Sequence, residues 1–233
     1  MENTLTQEIA DVIMERPTAF DVDGRHFYLY PPTLGKLYLT QRILEHAGIR
    51  RRMLQKNAAA ECLRLARDHR DDCLSVIAYA TLRTHDDIMS PSVVKARTAE
   101  LRPLDPSDIA TLLVLIITAD TTAKHMDELG ITRDRERMRQ VMRAKKNEDT
   151  YAFGGVSIYG MLLDAACSRY GWTLEYVVWG ISYENLRLML ADKPDTVYLS
   201  KDERKHCHVP PRDAVNGNDA DAMKAFIKSQ SWK

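Results

Sequence analysis

The stretch Tyr151–Asp192, YAFGGVSIYGMLLDAACSRYGWTLEYVVWGISYENLRLMLAD, decides how this chain is read. It holds two of the three tryptophans, Trp172 and Trp179. Ile158, Leu162, Ala165 and Ala166 fall at helical spacing, flanked by Met161 and Leu163, which predicts a helix from Ser157 to Tyr170. Gly171 stands where a helix stops, because glycine enters the left-handed region without a Cβ clash. Thr173 is an N-cap candidate for a short helix, Leu174 to Trp179, that Gly180 breaks. Ser182 caps the next helix, which Leu186, Leu188, Met189 and Leu190 carry until Asp192-Lys193-Pro194 ends it. Three short helices joined by tight turns make an aromatic-rich corner.

Upstream, FDVDGRHFYLY (Phe20–Tyr30) alternates apolar and polar residues around Asp23-Gly24. That pair between alternating runs predicts a β-hairpin, because both turn residues must take positive φ. The pattern leaves open which face is buried. Pro31-Pro32 ends the second strand. Thr33 then caps a helix to about His46 whose face is Leu34, Leu37, Tyr38, Gln41 and Leu44. Before the hairpin, Leu5, Ile9, Val12 and Ile13 share one side of a short amphipathic helix that Pro17 terminates.

Helical patterns follow over Met53–Leu65, Cys73–Arg83 and from Ser90-Pro91 to Leu101. The most apolar segment, Ile109–Ala123, predicts a central buried helix. Gly130–Asp149 is densely charged with mixed signs and reads as an exposed helix or linker. After Asp192 the chain turns polar. Thr196–Leu199 suggests a short strand, the residues after Ser200 an extended or disordered tail, and Ala222–Trp232 a terminal amphipathic helix. The expected fold class is mainly α, a helical protein with an N-terminal β-hairpin. The expected division is 1–130, hairpin plus helical body; 131–150, charged connector; 151–200, aromatic corner; and 201–233, polar tail.

A chain of 233 residues is long enough to bury a substantial core, and its formal net charge is zero. That balance excludes a globally basic nucleic-acid binder, though not a local basic patch. Cys62, Cys73, Cys167 and Cys207 form no CxxC pair and read as thiols in a reducing compartment. The first residues lack the basic start and apolar core of a signal peptide, and no apolar run reaches a membrane-spanning length. A cytoplasmic protein with no membrane contact is expected.

Catalytic signals are absent. There is no GxSxG, HExxH, P-loop or dinucleotide fingerprint. Gly154-Gly155 with Gly160 lacks the following Lys-Ser/Thr of a phosphate cradle. Asp68, His69, Asp71 and Asp72 lie at a helix junction where aspartate also caps, and adjacent His206-Cys207-His208 point away from a common ion. No catalytic residue, metal or cofactor is expected. A nucleic-acid reading rests on Arg50, Arg51 and Arg52 with Arg135, Arg139 and Arg143 in the charged segment.

Two segments carry a family resemblance. Tyr170-Gly171-Trp172-Thr173, then Val178, Ile181-Ser182 and the leucine helix, resembles the C-terminal part of phage tail assembly chaperones. Phe20–Gly24 with Tyr28, Tyr30, Pro31, Thr33 and Leu34 resembles their opening hairpin. The resemblance covers the hairpin and roughly the last third of the chain. It implies a non-enzymatic chaperone that shields the long helical tape measure protein, or another long helical assembly partner, during virion assembly in the host cytoplasm. Tyr159, Tyr170, Trp172, Trp179 and Tyr183 would then be partner contacts or core residues, core being the favoured reading for most because aromatic clusters at tight helix turns pack internally; the tail residues Met223, Phe226 and Ile227 would be partner contacts, and a homo-oligomer is compatible. The alternatives are a structural component of a phage tail or injection machine, and the basic-helix regulator above.

Overall fold

Asp23 and Gly24 both adopt positive φ, 47° and 72°, and join β1 (Thr18–Val22) to β2 (Arg25–Leu29) as an antiparallel pair. The register sets Phe20 opposite Phe27, with ring centroids 5.6 Å apart. Val22, Phe27 and Leu29 are buried and Tyr28 is exposed, so the Phe20/Phe27 face is the inner one. The ladder does not stop at the hairpin: the Tyr30 N–H donates to the Ala80 carbonyl at 3.0 Å, tying the strand to a helix.

The computed structural model describes residues 2–145, 153–194 and 196–207. They are mainly helical, with this one N-terminal hairpin, as the sequence predicts. The chain divides into two units, Met1–Arg133 with Ala152–Lys193, and Asp134–Tyr151 with Pro194–Lys233. In the first unit α1 (Glu2–Ile13) precedes the hairpin. After it come α2 (Leu34–His46), α3 (Arg51–Lys56), α4 (Ala58–Asp68), α5 (Arg70–Thr81), α6 (His85–Met89), α7 (Pro91–Glu100), α8 (Pro106–Ile117) and α9 (Thr122–Glu128). The main core packs the hairpin's inner face against α4, α5 and α8, with Leu65, Leu74, Ile77, Ile109 and Leu113 at its centre. The helical pattern over Met53–Leu65 is broken at Asn57, whose side chain accepts from the Ala60 N–H at 3.0 Å and caps α4. The apolar run of α8 stops at Ile117, short of the expected Ala123, and Leu115 points outward.

Two amphipathic faces differ from the expected ones. Ile13 of α1 is exposed, while Leu5, Ile9 and Val12 are half-buried. In α2, Leu34 and Leu44 are buried as expected, but Tyr38 and Gln41 face outward and Lys36 and Thr40 take their place in the buried stripe. Thr40 is tolerated there because its hydroxyl donates to the carbonyls of Lys36 (2.8 Å) and Leu37 (3.2 Å).

The predicted helix over Ser157–Tyr170 forms as a π-helical turn, Tyr159–Asp164, running into α11 (Ala165–Tyr170). The wider turn changes the phase, so Leu163 and Ala166 are the buried pair and Met161 is exposed. Gly171 ends α11 at φ 65°. Thr173 accepts from the Tyr176 N–H, and a second π turn, Tyr176–Gly180, leads to α12 (Tyr183–Ala191), capped by Ser182. Leu34, Leu163, Ala166, Val177, Ile181 and Leu186 make a second core. Gly35 is the close-packing point: a Cβ built there overlaps the Trp179 ring.

α10 (Ile131–Ala144) runs into the second unit as a charged, exposed helix. Residues 196–200 form no strand. Lys201–His206 is not extended or disordered as expected: α13 forms there, because Ser200 and Glu203 make a reciprocal capping box, and the tail from 208 onward lies outside the described residues. That signal, S-x-x-E, stands in the sequence. The predicted tail helix with Met223, Phe226 and Ile227 lies outside the described residues.

Glu61 is 1 % exposed, and its carboxylate accepts from the Arg50 N–H (2.9 Å), the Arg50 guanidinium (2.8 Å) and Arg64 (2.6 Å). Arg64 also donates to the Gly48 carbonyl at 2.9 Å, so one carboxylate fixes the turn between α2 and α4. These partners hold its pKa at about 2, against an ordinary 4.5. The depressed value means that the stabilisation is complete above about pH 4.5 and is lost as pH falls towards 2. Glu61→Gln is expected to lower unfolding stability by about 3 kcal/mol at pH 7 and to flatten its acid dependence between pH 4.5 and 2, read by urea titration. Gly35→Ala is expected to destabilise by about 1–3 kcal/mol through overpacking against Trp179. A shrunken ring, Trp179→Leu, should relieve part of that loss in the double variant.

Candidate functional site

Where the hairpin hands over to α2, Tyr30, Pro31 and Pro32 bring the chain under the aromatic corner. The Tyr183 N–H donates to the Pro32 carbonyl at 2.8 Å, and Thr33 and Ser182 form an isolated antiparallel bridge. The Ser182 N–H also donates to Glu15 (2.7 Å), and the Asn185 amide to the Val12 carbonyl (2.9 Å). Residues from both ends of the first unit therefore frame one region.

Lys36 sits in it, 3 % exposed. Its ammonium lies 5.5 Å from the Tyr30 ring centroid, within cation–π range. No hydrogen bond or ion pair reaches it among the described residues. Burial pushes its pKa down to about 8, against which the nearby Glu15 charge acts. Lys36 and Tyr30 line two cavities. One, about 350 Å³, is walled by Val12, Leu29, Leu37 and Ile116. The other, about 690 Å³, is walled by Tyr28, Arg83, His85, Tyr176 and Trp179. Arg83 lies 5.9 Å from the same Tyr30 ring, and His85 stacks on Trp179 with centroids 4.8 Å apart.

The residues proposed from sequence lie in several places. Tyr170 and Trp172 stack at 4.5 Å, and the Tyr170 hydroxyl donates to the Met189 carbonyl. Trp179 is wedged on Gly35. Tyr183 lies under the Arg187 guanidinium at 5.3 Å. All four are half-buried packing residues of the corner. Among the basic candidates, Arg50 is committed to Glu61, Arg51 to Glu45 (2.6 Å) and Arg139 to Glu136 (3.0 Å). Arg52, Arg135 and Arg143 are exposed.

Among the described residues, Glu8, His125 and Glu128 place one potential metal-ligand atom each within 4.8 Å of one another. Lys124 occupies Glu8 at 2.6 Å and Glu184 takes the His125 Nδ1 at 2.7 Å, so the group forms a clamp between α1, α9 and α12. No single helix among the described residues is long and apolar enough to cross a membrane, and Ile109, Leu112 and Leu113 of the most apolar one are buried within the protein. No family model, curated protein or solved structure matches this chain.

Sequence reading missed Lys36, Tyr30 and Arg83 as a group. The available signal was the i, i+4, i+8 run of Lys36, Thr40 and Leu44, which an apolar count discards because two members are polar.

Moving the Lys36 pKa from 10.5 to about 8 corresponds to a cost of roughly 3 kcal/mol for holding the charge in place. The folded value is the lower one. The unfolded chain therefore binds more protons between pH 8 and 10.5, and this residue's contribution improves as pH rises through that window. Burial raises Cys62 to about 11 and Cys73 to about 12, which acts in the opposite direction above about pH 9. The comparison with a variant isolates the lysine. Lys36→Met is expected to be more stable than the natural chain by roughly 3 kcal/mol at pH 7. In urea titrations that gap should close as pH approaches 10.5; a gap independent of pH would refute the assignment.

Proposed function

We propose that this chain is an assembly chaperone of the phage tail type, binding an amphipathic helical partner, the tape measure protein, before the tube forms around it. The observation that carries this reading is an exposed apolar run in the stretch that bears the resemblance. Val156 is 92 % exposed, Tyr159 71 % and Met161 66 %, beside the half-exposed Leu174. Tyr159 and Met161 stand on the π turn that leads into the packed corner, and Val156 lies in the irregular segment just before it. A rigid base presenting unshielded apolar groups suits a partner helix whose own apolar stripe needs cover. The pairing of Arg50 with the buried Glu61 removes one guanidinium from the basic-helix regulator reading.

Co-expression with the tape measure protein encoded beside it provides the test. The partner should be soluble with the natural chain and precipitate with the triple variant Val156→Ser, Tyr159→Ser, Met161→Ser. That variant should keep its own stability within about 0.5–1 kcal/mol, because the three sites are exposed. A partner equally soluble with either chain, or insoluble with both, would refute the proposal. Retention of the chain in finished particles would support the structural-component alternative.

A further inference from the structure

The 690 Å³ cleft beside α2 is lined by two cations, Lys36 and Arg83, and two carboxylates, Glu15 and Glu175, and neither cation makes an ion pair among the described residues. Lys36 is buried with no acceptor among the described residues, and Arg83, exposed at the rim, has no ion pair there either. Both stand within 6 Å of the Tyr30 ring, at 5.5 and 5.9 Å. The carboxylates that line the cleft direct their hydrogen bonds and close contacts to other groups, although the Glu15 charge still acts on Lys36 from a distance. Glu15 accepts from the Ser182 N–H (2.7 Å) and the Asn185 amide (3.3 Å), and Glu175 lies beside His85 at 3.7 Å. The Lys36 ammonium opens only onto cavity space and has no protein acceptor, so its charge is poorly solvated, and a well-packed apolar side chain would be the more stable occupant of that position. Its stem alone does not call for a charge at the tip. A bound oxyanion would supply the missing acceptors.

The walls indicate the rest of the ligand. Tyr28, Tyr30 and Tyr176 line the cleft, and the space is of the size that holds a ring-bearing small molecule. We infer that this cleft binds a small ligand carrying an oxyanion, a carboxylate or a phosphate, on a flat ring, with Lys36 and Arg83 as the cationic partners and the tyrosines as the walls. The site is independent of the assembly function proposed above. The apolar run Val156–Met161 is not among the cleft's lining residues, and the two readings stand or fall by different measurements.

The test titrates the full chain with sodium benzoate, phenyl phosphate and inorganic phosphate at constant ionic strength and pH 7, followed by ligand-observed NMR. The expected result is saturable binding of benzoate or phenyl phosphate, weakened about tenfold or more in Lys36→Met and about threefold or more in Arg83→Gln. The tighter of the two aromatic probes identifies the oxyanion. Arg83 is exposed, so its variant keeps the fold and tests the site even if Lys36→Met behaves poorly. No saturable binding of either aromatic probe below about 10 mM, or equal affinity in all three proteins, would overturn the inference. Inorganic phosphate binding as tightly as phenyl phosphate would overturn the part assigned to the tyrosine walls.

Discussion

The contact between the Trp179 ring and the bare backbone at Gly35 is the constraint on which the rest of the first unit depends. α2 begins there, capped by Thr33, and any side chain at position 35 would hold the indole away. With the indole seated, Thr33 bridges Ser182, Pro32 accepts from Tyr183, and Glu15 reaches the Ser182 N–H. The second core, Leu34 with Val177, Ile181 and Leu186, closes over that junction. A segment more than 140 residues downstream is thereby attached to the hairpin's exit through one close approach and a few backbone hydrogen bonds.

Glu61 and Lys36 show two outcomes for a charge in a protein interior. Both are almost wholly buried. Glu61 has every oxygen satisfied by Arg50 and Arg64, and its pKa falls to about 2. It joins the turn before α3 to α4 and its role is structural. Lys36 has a ring face in place of an acceptor, and its pKa falls to about 8 because the charged form is the disfavoured one. A compensated buried charge contributes to the fold, whereas an uncompensated one is a cost that the fold carries. The position of Lys36 between two cavities is what turns that cost into a candidate site.

The apolar surface follows a similar division. Tyr170, Trp172, Trp179 and Tyr183 attract attention in the sequence because they are large and clustered, and they pack against one another, Gly35 and Arg187. Val156 and Met161 attract less, yet with Tyr159 they are the ones that face outward. A π turn between Tyr159 and Asp164 shifts the helical phase, so Leu163 takes the buried position that spacing at 3.6 residues per turn gives to Leu162, while Ala166 is buried as that spacing predicts.

What the sequence determined by itself was the local architecture. Asp23-Gly24 makes the hairpin because only those turn residues accept two positive φ angles in succession. Thr33, Thr173 and Ser182 start helices because their hydroxyls reach an N–H three residues away, and Gly171 ends one in the left-handed region. The capping box at Ser200 belongs to the same class, although the polar composition around it argues for an unstructured tail. The tertiary structure alone decided which face of the hairpin is buried, that Lys36 and not Tyr38 lies inside α2, and that Arg50 is neutralised by Glu61. Each of those depends on partners between about 10 and 150 residues away in the chain. Local geometry is fixed by torsional sterics and hydrogen bonds within one turn, whereas burial and charge compensation are properties of the neighbours that folding brings together.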